Sequence, residues 1–187
     1  QVKHILLLTT GGTIASRPTE EGLAPGMDGD ALTRHFPLLS ENYALTVRDI
    51  LHLDSSNIQP EEWQLIARAV HDQRAAYDGV VITHGTDTMA YTASVLSFML
   101  RGIPIPVVLT GSQLPIEHPL TDALENLRIA FAMAASGTPG VFVAFDRKVI
   151  LGCRAVKTRT KGFDAFESVN WPPAALVDGG GLHRSEE

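Results

Sequence analysis

Apolar and polar residues fall in alternating blocks along the chain. Residues 2–8 form a nearly unbroken apolar run, and 79–83, 105–110 and 140–145 form three more. Short, β-branched-rich runs of this kind predict strands buried on both faces. Residues 43–51 and 148–151 predict two further strands, the second at a sheet edge. Between these runs the apolar spacing changes to that of a helix. In QPEEWQLIARAVHDQRA, Trp63, Ile66, Ala67 and Val70 share one face. Pro60 stands at a first helical position, with Glu61 and Glu62 in the first turn. Further helices are expected over 89–100 and from Asp122 to about residue 135, where Asp122 and Glu125 have capping-box spacing. A short helix over 31–36 is expected to stop at Pro37, and glycine-rich 17–30 reads as a long loop. Trp63, Phe98 and Phe131 read as core.

Strands alternating with helices predict an α/β fold. The expected architecture is an open, mostly parallel sheet covered by helices on both faces, a flavodoxin-like three-layer arrangement. Four polar clusters follow directly on apolar runs: TGGT (10–13), DSSN (54–57), HGTDT (84–88) and TGSQ (110–113). In such a sheet these positions lie along one edge, beyond the carboxyl ends of the strands, where ligands bind.

Composition narrows the chemistry. The 187 residues carry 21 acidic and 15 basic side chains, a formal charge of −6. That balance provides no broad basic footprint for nucleic acid or an anionic membrane. No apolar run is long enough to span a bilayer, and 2–8 is too short for a signal-peptide core. The single cysteine, Cys153, reads as a small buried residue and excludes an intrachain disulfide. The histidines, at 4, 35, 52, 71, 84, 118 and 183, show no metal-binding spacing. Neither a metal nor a cofactor is expected.

The opening TTGGTIAS fits neither phosphate-binding pattern. A dinucleotide fingerprint needs a third glycine and an immediate helix, and a P-loop needs Gly-Lys-Ser/Thr. What remains is a tight turn presenting Thr13. Thr86 presents a second hydroxyl beside Asp87, and Lys157 lies in a polar stretch after an apolar one. A hydroxyl becomes a useful nucleophile only when a base or a charge prepares it, so threonine, lysine and aspartate form a coherent set. His84 reads either as a base or as a residue lining the turn. No G-x-S-x-G elbow is present.

TGGTIA at 10–15 and HGTDT at 84–88 resemble the two signature motifs of the bacterial-type L-asparaginases. TGSQ at 110–113 and GFDAFES at 162–168 extend the likeness, the latter toward the cytoplasmic type. The resemblance implies hydrolysis of the side-chain amide of L-asparagine, and in some members L-glutamine, without a cofactor. It matches Thr13 to the nucleophile and Thr86, Asp87 and Lys157 to the second catalytic group. Asp54, Ser55, Ser56, Gly85, Asp87 and Ser112 fall at substrate-binding positions. Arg17, Glu21 and Leu23 fall on the loop that closes over the site, with Leu23 where the family carries tyrosine. The resemblance also implies a small-molecule substrate, a homodimer or homotetramer, and a cytoplasmic location. Residues 1–173 are expected to form the N-terminal domain and 174–187 a linker or tail, the usual C-terminal domain being absent from this sequence. Two other readings of the residues are a non-catalytic amino-acid-binding or assembly domain, and an amidase acting on a related amide.

Overall fold

The computed structural model describes residues 2–19, 22–53 and 57–185. Its centre is an eight-stranded sheet in the order β12-β11-β8-β7-β6-β5-β1-β4. The parallel part consists of β1 (His4–Gly11), β4 (Ala44–Leu53), β5 (Gly79–Thr83), β6 (Pro106–Thr110) and β7 (Gly140–Phe145). Counted among themselves, these five lie in the order second, first, third, fourth, fifth, which is the flavodoxin-like arrangement.

Why these runs become central strands is visible in their burial. Ile5 and Leu7 join Val81, Val108 and Phe142 in one apolar cluster under α5 (Ala123–Ala134). Leu6 and Leu8 join Val80, Ile82, Val107 and Val143 in a second, under α3 (Pro60–Gln73) and α4 (Thr86–Met99). Successive side chains thus feed opposite cores, and a run buried on both faces has to be apolar throughout. Helices α1 (Gly29–Arg34) and α2 (Pro37–Asn42) pack on the α5 side.

Several local expectations need correction. Pro37 does not end a structured stretch; it opens α2 as its first residue. β8 (Lys148–Leu151) is not an edge strand. It pairs antiparallel with β7 across a turn in which Asp146 and Arg147 both have positive φ, and with β11 on its other side. β11 (Ala175–Asp178) and β12 (Gly181–Arg184) form a hairpin at the sheet edge, within the stretch expected as linker or tail. Phe98 is 68% exposed, because the buried stripe of α4 runs through Met89, Ala93 and Leu96. Cys153 is exposed, since Gly152 is the residue tucked against Ala93 and Ser97. The loop 17–30 contains the hairpin β2 (Ser16–Thr19) and β3 (Gly22–Pro25) and the start of α1.

Candidate functional site

Register puts the strand ends level. Thr9 of β1 is opposite Thr83 of β5, and Thr83 is opposite Thr110 of β6. The chain order reverses between β1 and β5, so a crevice is expected beyond this pair. The glycines decide how closely the three ends approach. Gly11 and Gly12 have φ of 101° and 95°, backbone that L-residues with a Cβ rarely adopt. A Cβ on Gly12 would lie 2.7 Å from the Gly85 nitrogen, and one on Gly11 would lie 2.8 Å from the Leu53 carbonyl oxygen. A Cβ on Gly111 would strike the His84 carbonyl oxygen. The TGGT turn is therefore wedged between the ends of β4 and β5.

Thr13 begins a single 3-10 turn, Thr13–Ala15, and is partly buried. Its carbonyl accepts from Ser16 Oγ at 2.7 Å, and the carbonyls of Ile14 and Ala15 accept from the Ile116 and Met27 amides. The backbone is thus tied on both sides, while no hydrogen bond to the Thr13 hydroxyl is found among the described residues.

Thr86 stands just across the turn, as the residue after Gly85, which is the N-cap of α4. Its hydroxyl donates to Gln113 Oε1 at 3.2 Å and accepts from Lys157 Nζ at 3.0 Å. Lys157 Nζ also donates to Asp87 Oδ1 at 2.7 Å. Lys157 arrives on the short strand β9 (Ala155–Lys157), paired with β10 (Phe166–Ser168), and its side chain is only 14% exposed against 54% for Asp87. Asp87 also sits in the first turn of α4, where the helix dipole favours negative charge. Burial of the lysine end makes this contact stronger than a surface ion pair, while the solvated carboxylate limits its net worth.

His84 is not placed to act as a base at this site. It is buried, and its Nδ1 faces the Gly85 carbonyl oxygen at 2.8 Å. A carbonyl can only accept, so Nδ1 carries the proton and Nε2 accepts from Thr92 Oγ1 at 2.9 Å. Thr92 in turn accepts from Trp63 Nε1 at 2.9 Å. Burial lowers the His84 pKa, partly opposed by its bond to Gly85, so the ring is held neutral.

The structure joins Thr86, Asp87 and Lys157 by hydrogen bonds and sets the turn before Thr13 against Gly85. Ser112 is buried on the next strand end, its hydroxyl donating to the Leu114 carbonyl at 2.5 Å. Arg17 stands at the base of the β2–β3 hairpin, with Nε 3.7 Å from Glu117, and Leu23 stands in β3, in register with Pro18. Glu21, Asp54, Ser55 and Ser56 lie outside the described residues. Gln113 was missed by sequence reasoning, although it belongs to the TGSQ cluster. Asp122 and Glu125 do not form a capping box: Asp122 accepts from the Gln113 and Leu114 amides, and Glu125 pairs with Arg147 at 2.5 Å. Among the described residues no group of three or more His, Cys, Asp or Glu side chains could hold a metal, and no helix is long and apolar enough to cross a membrane.

Residues 4–187 match the family model described as Asparaginase, N-terminal. The chain is 52% identical over 176 residues to L-asparaginase of Thermococcus kodakarensis, covering 94% of this chain and 54% of that protein. The solved structure described as "The thermostable L-asparaginase from Thermococcus kodakarensis" superposes with a TM-score of 0.91 at 49% identity, over 98% of this chain and 56% of that one. A structure described as "Probable Cytoplasmic L-asparaginase from Campylobacter jejuni" superposes with a TM-score of 0.87 at 32% identity, over 98% and 58%. The chain thus spans little more than half the length of these relatives. The chain shares the fold of these relatives, and with residues 4–187 matching the family's N-terminal model it belongs to the asparaginase family.

Proposed function

We propose that this chain forms the catalytic N-terminal part of an L-asparaginase, which converts L-asparagine to L-aspartate and ammonia. The observation that carries the proposal is the meeting of the Thr13 turn with the Thr86–Lys157–Asp87 set at the start of α4. A threonine hydroxyl with no hydrogen bond among the described residues stands on a turn packed against Gly85, and the next residue, Thr86, has an oxygen that accepts from a lysine ammonium. Such a pairing suits acyl transfer, in which charge moves from the attacking oxygen to the carbonyl oxygen and then to the leaving group.

In the first half-reaction Thr13 Oγ attacks the side-chain amide carbon and its proton passes to the surrounding network. The C–N bond then breaks, the nitrogen takes up a proton, and ammonia leaves an acyl-Thr13. In the second, water attacks the same carbon, the ester bond breaks, and aspartate departs with the Thr13 hydroxyl restored. Thr86, Lys157 and Asp87 relay protons and offset charge during both halves. Amides of the glycine turn and of the start of α4 are the donors available to the developing oxyanion. Asp87, with Asp54, Ser55, Ser56, Gly85 and Ser112, holds the amino-acid end of the substrate. The loop to which Arg17, Glu21 and Leu23 belong in sequence closes over it. The family resemblance supports a homodimer or homotetramer in the cytoplasm.

The test is ammonia release by the full-length protein, with asparagine and glutamine compared. Asparagine is expected to be turned over, and Thr13→Ala to lower kcat by about 10³-fold or more. A correctly folded protein that releases ammonia from neither amide, or a Thr13→Ala variant of unchanged kcat, refutes the proposal.

A further inference from the structure

The Thr86 hydroxyl has one proton and touches two groups. Lys157 Nζ, as an ammonium, can only donate, and Gln113 Oε1 can only accept. The proton must therefore point at Gln113, which leaves a lone pair of Thr86 facing Lys157. The orientation of the Gln113 amide is settled in the same way. Its Nε2 lies 3.2 Å from the Thr160 carbonyl oxygen and 3.0 Å from that of Gly162. Both are acceptors only, so the nitrogen faces them and the oxygen faces Thr86 without a flipped alternative.

The backbone of Gln113 is fixed as firmly. Its amide donates to both carboxylate oxygens of Asp122, at 3.1 and 2.9 Å, and the Leu114 amide donates to the same group. Asn126, buried in α5, donates to Asp122 and to the Gly111 carbonyl, and accepts from the Asp146 amide. One connected set of hydrogen bonds thus runs from the β7–β8 turn, through α5 and the loop after β6, to the Thr86 hydroxyl.

We propose that Gln113 is a positioning residue with two tasks: it aims the Thr86 hydroxyl proton away from Lys157, and it clamps the 160–162 segment that follows the lysine strand. Resting on the amidohydrolase reading, this predicts that Gln113 acts on turnover through Thr86. Its clamping task needs no reading of function. Without the acceptor, Thr86 is free to rotate, and the lone pair that meets the ammonium is no longer held in place. Without the two donors, the loop bearing Arg159 and Lys161, both exposed, loses its tie to the strand end.

The experiment compares the full-length parent with Gln113→Leu, which keeps the bulk, and Gln113→Glu, which keeps an acceptor but removes both donors. Two quantities are read: kcat and KM for asparagine, and the rate of trypsin cleavage after Arg159 and Lys161 under native conditions. Gln113→Leu is expected to lower kcat by about 10–100-fold with KM changed less than about threefold, the pattern of misplaced machinery rather than lost affinity. Cleavage is expected to be about tenfold faster in both variants, as a local opening loses its restraint. In a Thr86→Ser background, Gln113→Leu is expected to produce a smaller further loss than in the parent, because serine already rotates more freely. Unchanged kcat together with unchanged cleavage in folded Gln113→Leu overturns the proposal. If Gln113→Leu fails to fold, Gln113→Met, which also lacks the amide acceptor and both donors, decides by the same two readouts, and Gln113→Glu decides the clamp by its cleavage rate alone. Should the parent release no ammonia, the functional reading fails on its own and the cleavage rates still decide the clamp.

Discussion

Thr13 and Thr86 stand beyond adjacent strands, each directly after a glycine, yet their hydroxyls meet different surroundings. At Thr13 it is the backbone that is fixed, by positive-φ glycines, a single 3-10 turn, and bonds donated to the carbonyls of Thr13, Ile14 and Ala15. Its side chain is left free of hydrogen bonds to the described residues. Around the Thr86 hydroxyl the fixed partners are side chains: Gln113 takes its proton, Lys157 meets a lone pair, and Asp87 stands behind the lysine. A group that must form and break a bond to substrate benefits from a rigid base and an unengaged tip. A group that only moves charge benefits from partners already in place. In the proposed function the pair is divided between attack and electrostatic preorganisation.

The largest way to break this division is Lys157→Met, which keeps the stem and removes the charge. Turnover of asparagine is expected to fall by about 10²–10³-fold, the scale of losing one aimed electrostatic partner. Folding is expected to change little, because the contact involves a carboxylate that is 54% exposed. A melting temperature within about 4 °C of the parent is the expected readout. A variant that loses stability in proportion to activity would mean that Lys157 holds the fold together rather than preparing the chemistry.

A middle-sized effect is expected one layer behind the site. Thr92 both donates to His84 and accepts from Trp63, so Thr92→Val leaves two polar groups unpaired at once. Each unpaired buried group costs about 1–3 kcal/mol, and a loss of about 2 kcal/mol or more should appear as a lower urea midpoint at unchanged slope. His84 also supplies a pH signature. Its folded pKa lies below the ordinary 6.5, so the unfolded chain takes up a proton first as pH falls. Its stabilising contribution is complete above about pH 6.5 and is lost as pH drops through the interval below it. Asp178, whose pKa lies under its ordinary 3.8 because of the Gly180 amide and His183, titrates outside that interval. The parent should lose stability between pH 7 and 5, and His84→Gln should lose measurably less. Equal losses in the two proteins would remove His84 from the account.

How much of this was legible depended on range in sequence. The four inner parallel strands, β1, β5, β6 and β7, could be read because burial on both faces demands continuous apolar runs, and the polar clusters because they follow such runs directly. The Thr13 and Thr86 turns were therefore visible as strand-end loops. Lys157 could be matched by family resemblance, but its contact with residues 86 and 87 spans some seventy positions that no local pattern encodes. Gln113 was missed for the same reason: its partners at 160 and 162 come from a separate hairpin. Asp122 shows the opposite failure. Its spacing to Glu125 looks like a capping box, but tertiary donors from Gln113 and Leu114 compete successfully for the carboxylate. In the closing hairpin, Gly181 at φ 105° helps turn β11 into β12, so the DGGG that resembles a linker is the tip of a turn.

The smallest expected effect extends the comparison of hydroxyls along the strand ends. Thr10 Oγ1 donates to the Thr83 carbonyl at 2.7 Å, and Thr110 Oγ1 donates to the Ala144 carbonyl at 2.8 Å. The Thr83 hydroxyl, equally buried between them, has no partner among the described residues. Valine has nearly the same shape as threonine and no polar atom to satisfy. Thr83→Val is therefore expected to stabilise the fold by up to about 1 kcal/mol, whereas Thr10→Val and Thr110→Val should each destabilise it by about 1 kcal/mol. Urea unfolding of the three variants at one pH decides the matter, because the slope should stay constant while the midpoint moves in opposite directions. If all three midpoints fall together, the Thr83 hydroxyl is engaged in the folded protein in solution. The strand ends would then be as fully hydrogen-bonded as the Thr86 side of the crevice, leaving Thr13 as the exception in the row.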